Sequence, residues 1–193
     1  YANLIRKVDS ILDIGDKLAH WAAILAMNQN GINLTQQYSE IKSFEAFNEL
    51  KKTNCAISVF LPYKFLKQTD ELPHSWSVTS DSITLYLAHK LNLSECFLIK
   101  DIDGIYIEGR NQVVKQISTK EYVKLRNSND LAKNKEDSKK IKKSMPIDSH
   151  LVKLIESYKI HCIILNGMKD KDRLVNYFQK NRILNKIFTK INY

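Results

Sequence analysis

Ser75-Trp-Ser-Val-Thr-Ser-Asp-Ser82 and Lys100-Asp-Ile-Asp-Gly-Ile-Tyr106 bracket the segment that decides the fold. The first stretch runs into an apolar-periodic segment, Ile83 to Leu91, that reads as a helix. That helix leads to Cys96–Lys100, a short run of the kind found in strands buried on both faces. Two polar clusters therefore stand at a helix start and at a strand's carboxyl end within one β-α-β unit. In open α/β sheets, ligands bind at the carboxyl ends of the strands.

Working outward, helices and strands alternate. Leu4, Ile5, Val8, Ile11 and Leu12 are apolar at helical spacing. Asp16 is placed to cap a helix from Lys17 to Gln29, with Gly31 just past its end. Ser43 to Lys52 reads as a second amphipathic helix, Cys55 to Leu61 as a strand stopped by Pro62, and Lys67 to His74 as a polar loop. Ile105–Ile107 and Val113–Val114 flank Glu108-Gly-Arg-Asn111 as a small hairpin would. Ser118 opens a short helix to Leu125, and residues 127–144 read as a mobile, lysine-rich loop. A helix from Asp148 to Tyr158, a buried strand His161 to Leu165, a helix Asp170 to Gln179 and a strand Lys186 to Ile191 complete the order. The expected class is α/β, a three-layer αβα sandwich with a mostly parallel central sheet in a single domain, 1–193.

The 193 residues are enough for one domain with a substantial core. With 44% hydrophobic and 26% charged residues, the chain is neither disordered nor fibrous. No apolar run approaches the ~20 residues of a membrane span. No basic region followed by an apolar stretch marks a leader, and three cysteines in no metal spacing fit reduced core thiols, so a cytoplasmic location is expected. The net charge of +9 comes mostly from lysine rather than from arginine, the residue suited to bidentate phosphate and base recognition. That balance weakens a nucleic-acid reading without removing it.

Thr79-Ser-Asp-Ser82 has two readings. Ser, Thr and Asp are the residues that cap helices. A helix start with free amides and hydroxyls also suits a phosphate. Lys100-Asp-Ile-Asp-Gly104 is explained in part as a strand-to-turn transition. Turn chemistry accounts less well for charged Lys100 and Asp101 directly after a buried strand.

Taken together, Ser77-Val-Thr-Ser-Asp81 and Leu98-Ile-Lys-Asp-Ile-Asp-Gly-Ile-Tyr106 resemble the amino acid kinase superfamily, which includes uridylate, acetylglutamate and aspartate kinases. Leu72-Pro-His-Ser-Trp-Ser-Val-Thr-Ser-Asp-Ser-Ile83 is most similar to the branch that phosphorylates aminomethylfuran-methyl phosphate in methanofuran synthesis. Ile147-Asp-Ser-His-Leu-Val-Lys-Leu154 and Tyr158-Lys-Ile-His-Cys-Ile-Ile-Leu-Asn-Gly167 agree with it. The resemblance implies ATP, carried with Mg2+, as phosphoryl donor, a small phosphate or carboxylate acceptor, and a homo-oligomer with no membrane partner. It implies that Asp81 orients catalytic lysines and that Lys153 stabilises the transferring phosphoryl group. Lys100, Asp101, Asp103, Gly104 and Tyr106 would form the nucleotide edge, and Trp76, Ser77, Thr79 and Ser80 would line the acceptor, with His74 in the acceptor loop.

The sequence also departs from the family pattern. Lys100 stands where Thr is usual, and Ser149-His150 replaces a Gly-Gly pair before Lys153. The first-strand Lys-x-Gly-Gly and a second glycine-rich loop have no counterpart among Gly15, Gly31, Gly104, Gly109 and Gly167. An N-terminally truncated domain is therefore expected. A uridylate kinase-like enzyme, a non-catalytic remnant and a basic nucleic-acid-binding module are the alternatives.

Overall fold

The computed structural model describes residues 2–131, 145–168, 172–179 and 186–193. Of the lysine-rich loop expected over 127–144, residues 132–144 lie outside them. The chain divides into two units, Tyr1–Val78 and Thr79–Tyr193.

In the first unit, α1 (Ala2–Leu12) precedes the long α2 (Asp16–Gln37), followed by β1 (Lys42–Phe44), α3 (Phe47–Lys52), β2 (Ser58–Phe60) and α4 (Tyr63–Thr69). Strands β1 and β2 pair in parallel, Phe44 opposite Phe60. Gly15, at φ 83°, is the N-cap of α2, so Asp16 is its first helical residue rather than its cap. There its carboxylate faces the positive end of the helix dipole. Gly31 does not end this helix. A Cβ on Gly31 would lie 2.5 Å from Leu61 Cδ2 and 2.9 Å from Val59 Cγ1. The glycine is there for close approach of β2 to the helix, which continues to Gln37.

The helix expected over Ser43 to Lys52 begins only at Phe47, because Lys42–Phe44 is taken by pairing with β2. The stretch Lys67 to His74, read as a loop, starts inside α4. That helix is anchored where Asn28 Oδ1 accepts the Tyr63 N–H at 3.1 Å, a contact thirty-five residues distant that local pattern does not reveal.

In the second unit, α5 (Ser80–Lys90) and β3 (Glu95–Lys100) are followed by β4 (Gln116–Ser118), α6 (Thr119–Asn127), α7 (Leu151–Tyr158), β5 (His161–Asn166), α8 (Asp172–Phe178) and β6 (Thr189–Asn192). The sheet order is β3-β5-β6-β4. Strands β3 and β5 run parallel from Glu95 opposite His161 to Lys100 opposite Asn166, and β4 runs parallel to β6. The β5–β6 pair is antiparallel. Strand β5 is buried from Cys162 to Asn166, as expected for a central strand. Cys96 and Cys162 face each other across β3 and β5 as free thiols, Sγ to Sγ 3.6 Å.

The short helix α6 is fixed by a capping box, with Ser118 accepting from the Glu121 N–H and Glu121 accepting from the Ser118 N–H. The hairpin expected around Glu108–Asn111 does not form as two strands. Val114 N–H does reach Ile105 O at 2.9 Å, but Ile107 bridges to Leu131 instead. Thr189 Oγ1 accepts from Ile105 N–H (2.8 Å) and donates to Val114 O (2.7 Å). The start of β6 thus takes up backbone groups that a hairpin ladder would use. Strand β4 carries too short an apolar pattern to stand out in the sequence; its pairing with β6 creates it.

Candidate functional site

Because β3 and β5 pair in register, they end at the same level. Lys100, the last residue of β3, sends Nζ to both carboxylate oxygens of Asp81, at 2.9 and 2.8 Å. Asp81 lies in the first turn of α5 and is only 6% exposed. Burial pushes its carboxyl above the usual carboxylate range. The Lys100 ammonium pulls in the other direction, and neighbouring Asp148 adds to the upward push. Thr79 is the N-cap of α5; its hydroxyl accepts from the Asp81 N–H at 3.4 Å.

A residue whose importance local sequence did not reveal holds this group in place. Asp148, just ahead of α7, accepts on Oδ2 from Thr79 N–H (2.9 Å), Thr79 Oγ1 (2.8 Å) and Ser82 N–H (3.0 Å). On Oδ1 it accepts from Ser82 Oγ (2.6 Å) and Leu151 N–H (2.8 Å). Its own N–H donates to Asp81 Oδ2 at 3.3 Å. One carboxylate therefore satisfies otherwise orphaned donors at the N-termini of two helices. Read alone, Asp148 is an ordinary helix-start residue; its reach to α5 spans sixty-six residues or more.

A second cluster forms where β3 and β5 end. Asp103 accepts on Oδ1 from Asn166 Nδ2 at 2.7 Å and from the Arg173 guanidinium, and on Oδ2 from the Tyr106 hydroxyl at 3.3 Å. Asn166 in turn accepts the Met168 N–H at 2.8 Å. Gly104, at φ 144°, has no room for a Cβ, which would meet Thr189 Oγ1 and lie 2.6 Å from Val113 Cγ1. The sequence pattern marked Asp103, Gly104 and Tyr106. Asn166 read only as a strand end, and Arg173 carried no local signal at all.

A cavity of about 530 Å³ follows β3 from Phe97 to Asp101, bordered by Ser80, Asp81 and Gly167. That size is ordinary for a small-molecule site. Ser80 and Asp101 are exposed on its wall. Gly167 N–H donates to Lys100 O at 2.8 Å, and a Cβ there would lie 2.5 Å from Ile99 Cγ2. Among the described residues no group of three or more His, Cys, Asp or Glu is arranged to hold a metal.

Lys153 is exposed on α7, between buried Val152 and Leu154, and has no hydrogen bond or ion pair among the described residues. The structure thus gathers Thr79, Asp81 and Lys100 into one group and Asp103, Gly104 and Tyr106 into another, but ties Lys153 to neither. Trp76 and Ser77 belong to the first unit. There the Trp76 indole N–H donates to Asp9 Oδ2 at 2.7 Å, and the Ser77 hydroxyl meets that of Ser75 at 2.5 Å. His74 is 2.6 Å from Asp70 and packs against His20 and Trp21.

The chain is similar to known proteins. [5-(Aminomethyl)furan-3-yl]methyl phosphate kinase from Methanocaldococcus jannaschii is 28% identical over 193 residues, 99% of this chain and 79% of that protein. UMP kinase from Ureaplasma parvum has the same fold with a TM-score of 0.64 at 16% identity, over 97% of this chain and 76% of that one. Uridylate kinase from Archaeoglobus fulgidus superposes with a TM-score of 0.61 at 15% identity, over 98% and 79% of the two chains. Both bear out the expected α/β fold. No described helix is long and apolar enough to cross a membrane. The model of the amino acid kinase family matches residues 2–166, and this chain belongs to that family of kinases.

Proposed function

We propose that this protein transfers the γ-phosphoryl group of ATP to a small phosphate acceptor of the aminomethylfuran-methyl phosphate type, forming the diphosphate. The observation that carries the reading is the Asp81–Lys100 pair bordering a cavity at the carboxyl ends of β3 and β5. The similarity to a furan-methyl phosphate kinase over almost the whole chain supports the acceptor class.

Phosphoryl transfer depends on positioning and on stabilising charge rather than on covalent chemistry. The buried Asp81 carboxylate fixes the Lys100 ammonium at the cavity wall. Lys153, not engaged elsewhere among the described residues, is the cation assigned to the transferring group. Asp101, Asp103, Gly104 and Tyr106 form the nucleotide edge, with Gly104 allowing close backbone approach. Trp76, Ser77, Thr79 and Ser80 serve the acceptor. Mg2+, carried with the nucleotide, would neutralise phosphate charge. The enzyme acts in the cytoplasm as a homo-oligomer.

The test is ³¹P NMR of the protein with MgATP and the furan-methyl phosphate, with UMP in a parallel sample. New diphosphate resonances from the furan compound are expected. Turnover of UMP alone would move the reading to a uridylate kinase. Turnover of neither, with no nucleotide binding, would replace it with a non-catalytic role, and a steep fall of RNA affinity with salt would then identify a nucleic-acid binder.

A further inference from the structure

Strands β3 and β5 place Cys96 directly opposite Cys162 in register, and the two sulfurs lie 3.6 Å apart. Both are free thiols, 6% and 0% exposed. A buried cysteine is ordinarily a small apolar filler, and each residue alone fits that description. Their meeting does not follow from it, since any apolar side chain fills a strand interior. Neighbouring strands run about 4.7–4.9 Å apart, inside the roughly 4.4–6.8 Å range of Cα separations in disulfides. The two sulfurs therefore reach bonding distance by side-chain rotation, with the strand ladder in place.

The surroundings tie this pair to the candidate site. Side chains alternate along a strand, so Cys96, Leu98 and Lys100 share one face of β3. Asp81 and Lys100 both act electrostatically on Cys162. Hydrogen bonding to Cys96, then burial, push the Cys162 thiol up, which keeps it protonated and unreactive while the pair is closed from solvent. Access comes from β3. Among the described residues it pairs only with β5, at the edge of its sheet, and Ile99 there is 53% exposed. A strand held on one side opens locally more easily than a central one.

We infer that Cys96 and Cys162 form a two-electron redox site, in which a small-molecule disulfide converts the two thiols to a bridge that staples β3 to β5. Cys96 Sγ attacks the small disulfide; an S–S bond forms to Cys96, the oxidant's own S–S bond breaks, and its first thiolate leaves. Cys162 Sγ then attacks Cys96 Sγ; the Cys96–Cys162 bond forms and the second thiolate leaves. The two protein thiols are oxidised, the small disulfide is reduced to two thiols, and these take up the two protons. A reducing thiol pool holds the bridge open at rest. Closure fixes the strand whose last residue is Lys100, so the oxidant level sets the mobility of the sheet edge beside the cavity.

The test equilibrates the 193-residue chain in mixtures of reduced and oxidised glutathione, with Cys55→Ser removing the third thiol. Intact mass should fall by two hydrogen atoms, and peptide mapping should find Cys96 joined to Cys162. The folded chain should become half oxidised in a buffer about 10-fold or more richer in reduced glutathione than the same chain in urea requires, because the fold presents the thiols to each other. Amide hydrogen exchange in β3 should slow about 10-fold in the oxidised form and recover with dithiothreitol. Adding Cys96→Ala should abolish the cross-link. A folded chain that forms the bridge no more readily than the unfolded one would overturn the inference, since the fold would then resist closure. Unchanged exchange in β3 of the cross-linked protein would overturn it as well, leaving two core thiols that merely touch. Both comparisons use the chain with its two thiols intact, so neither depends on the folding of Cys96→Ala.

Discussion

Asp81 and Lys100, nineteen residues apart, meet in a two-pronged ion pair in which both carboxylate oxygens lie within 2.9 Å of one ammonium nitrogen. Asp81 is almost wholly buried, whereas the Lys100 side chain keeps 21% of its exposure. The carboxylate is therefore the partner that suffers when the pair is broken.

Lys100→Met should destabilise the fold by about 2–3 kcal/mol at neutral pH, somewhat below the range for fully buried pairs because the lysine is partly solvated. Asp81's carboxyl is already raised by burial, and removing the ammonium takes away the largest opposing influence. A group whose folded pKa lies above its unfolded value favours the folded state at low pH and loses that advantage as pH rises. The deficit of Lys100→Met relative to wild type should therefore shrink toward pH 4 and grow toward pH 8. Urea unfolding across that range measures it; a pH-independent deficit would show that the pair does not govern Asp81.

Asp148→Asn should cost about 2–4 kcal/mol, because an amide presents donors where the carboxylate accepted from Thr79, Ser82 and Leu151. Ser82→Ala removes only one of those bonds and should cost about 1 kcal/mol. If both variants unfold at the same urea concentration, Asp148 is not the clamp between the starts of α5 and α7.

Gly104→Ala should destabilise by roughly 1–3 kcal/mol, since φ 144° is strained for any residue with a Cβ and Thr189 and Val113 leave it no space. Thr189→Val keeps the shape but leaves Ile105 N–H and Val114 C=O without their partner, at a cost of about 1–3 kcal/mol. The two changes act on one turn, so a double mutant should cost less than their sum. Full additivity in thermal unfolding would mean that they act independently.

Tyr122 is fully buried in α6, and burial raises its phenol to about 12. The unfolded chain loses this proton near pH 10, the folded one two units later. Its contribution is therefore complete below pH 10 and disappears between pH 10 and 12. That interval corresponds to about 2–3 kcal/mol. Tyr122→Phe should flatten this alkaline loss of stability, while Tyr177, less buried and also raised, retains a smaller slope. An unchanged alkaline profile in Tyr122→Phe would assign the loss to other groups.

The α5–β3 segment and its flanking motifs were readable because they depend on local rules. A Thr–Ser–Asp start caps a helix, an apolar run makes a strand, and Asp-Gly turns the chain at its end; but Cys96–Lys100, expected to be buried on both faces, belongs to β3 at the edge of its sheet, paired among the described residues only with β5, and Ile99 there is 53% exposed. The same rules located α1, α6, α7 and β5. They failed where a distant partner overrode local preference: at Gly31, whose missing side chain admits Leu61; at Lys42–Phe44, drawn into a sheet by β2; and at Ile105–Val114, whose hairpin bonds are diverted to Thr189.

By itself, then, the sequence determined the α/β class and the two polar motifs, because periodicity and turn chemistry act over a few residues; Asp81 and Asp103 stood out through the resemblance those motifs carry. Only the tertiary structure decided that Lys100 faces Asp81, that Asp148 binds the starts of α5 and α7 together, that Asn166 and Arg173 close on Asp103, and that the Trp76 indole donates to Asp9. Those relationships join residues brought close by strand register and helix packing, and no pattern along the chain encodes a distance across it.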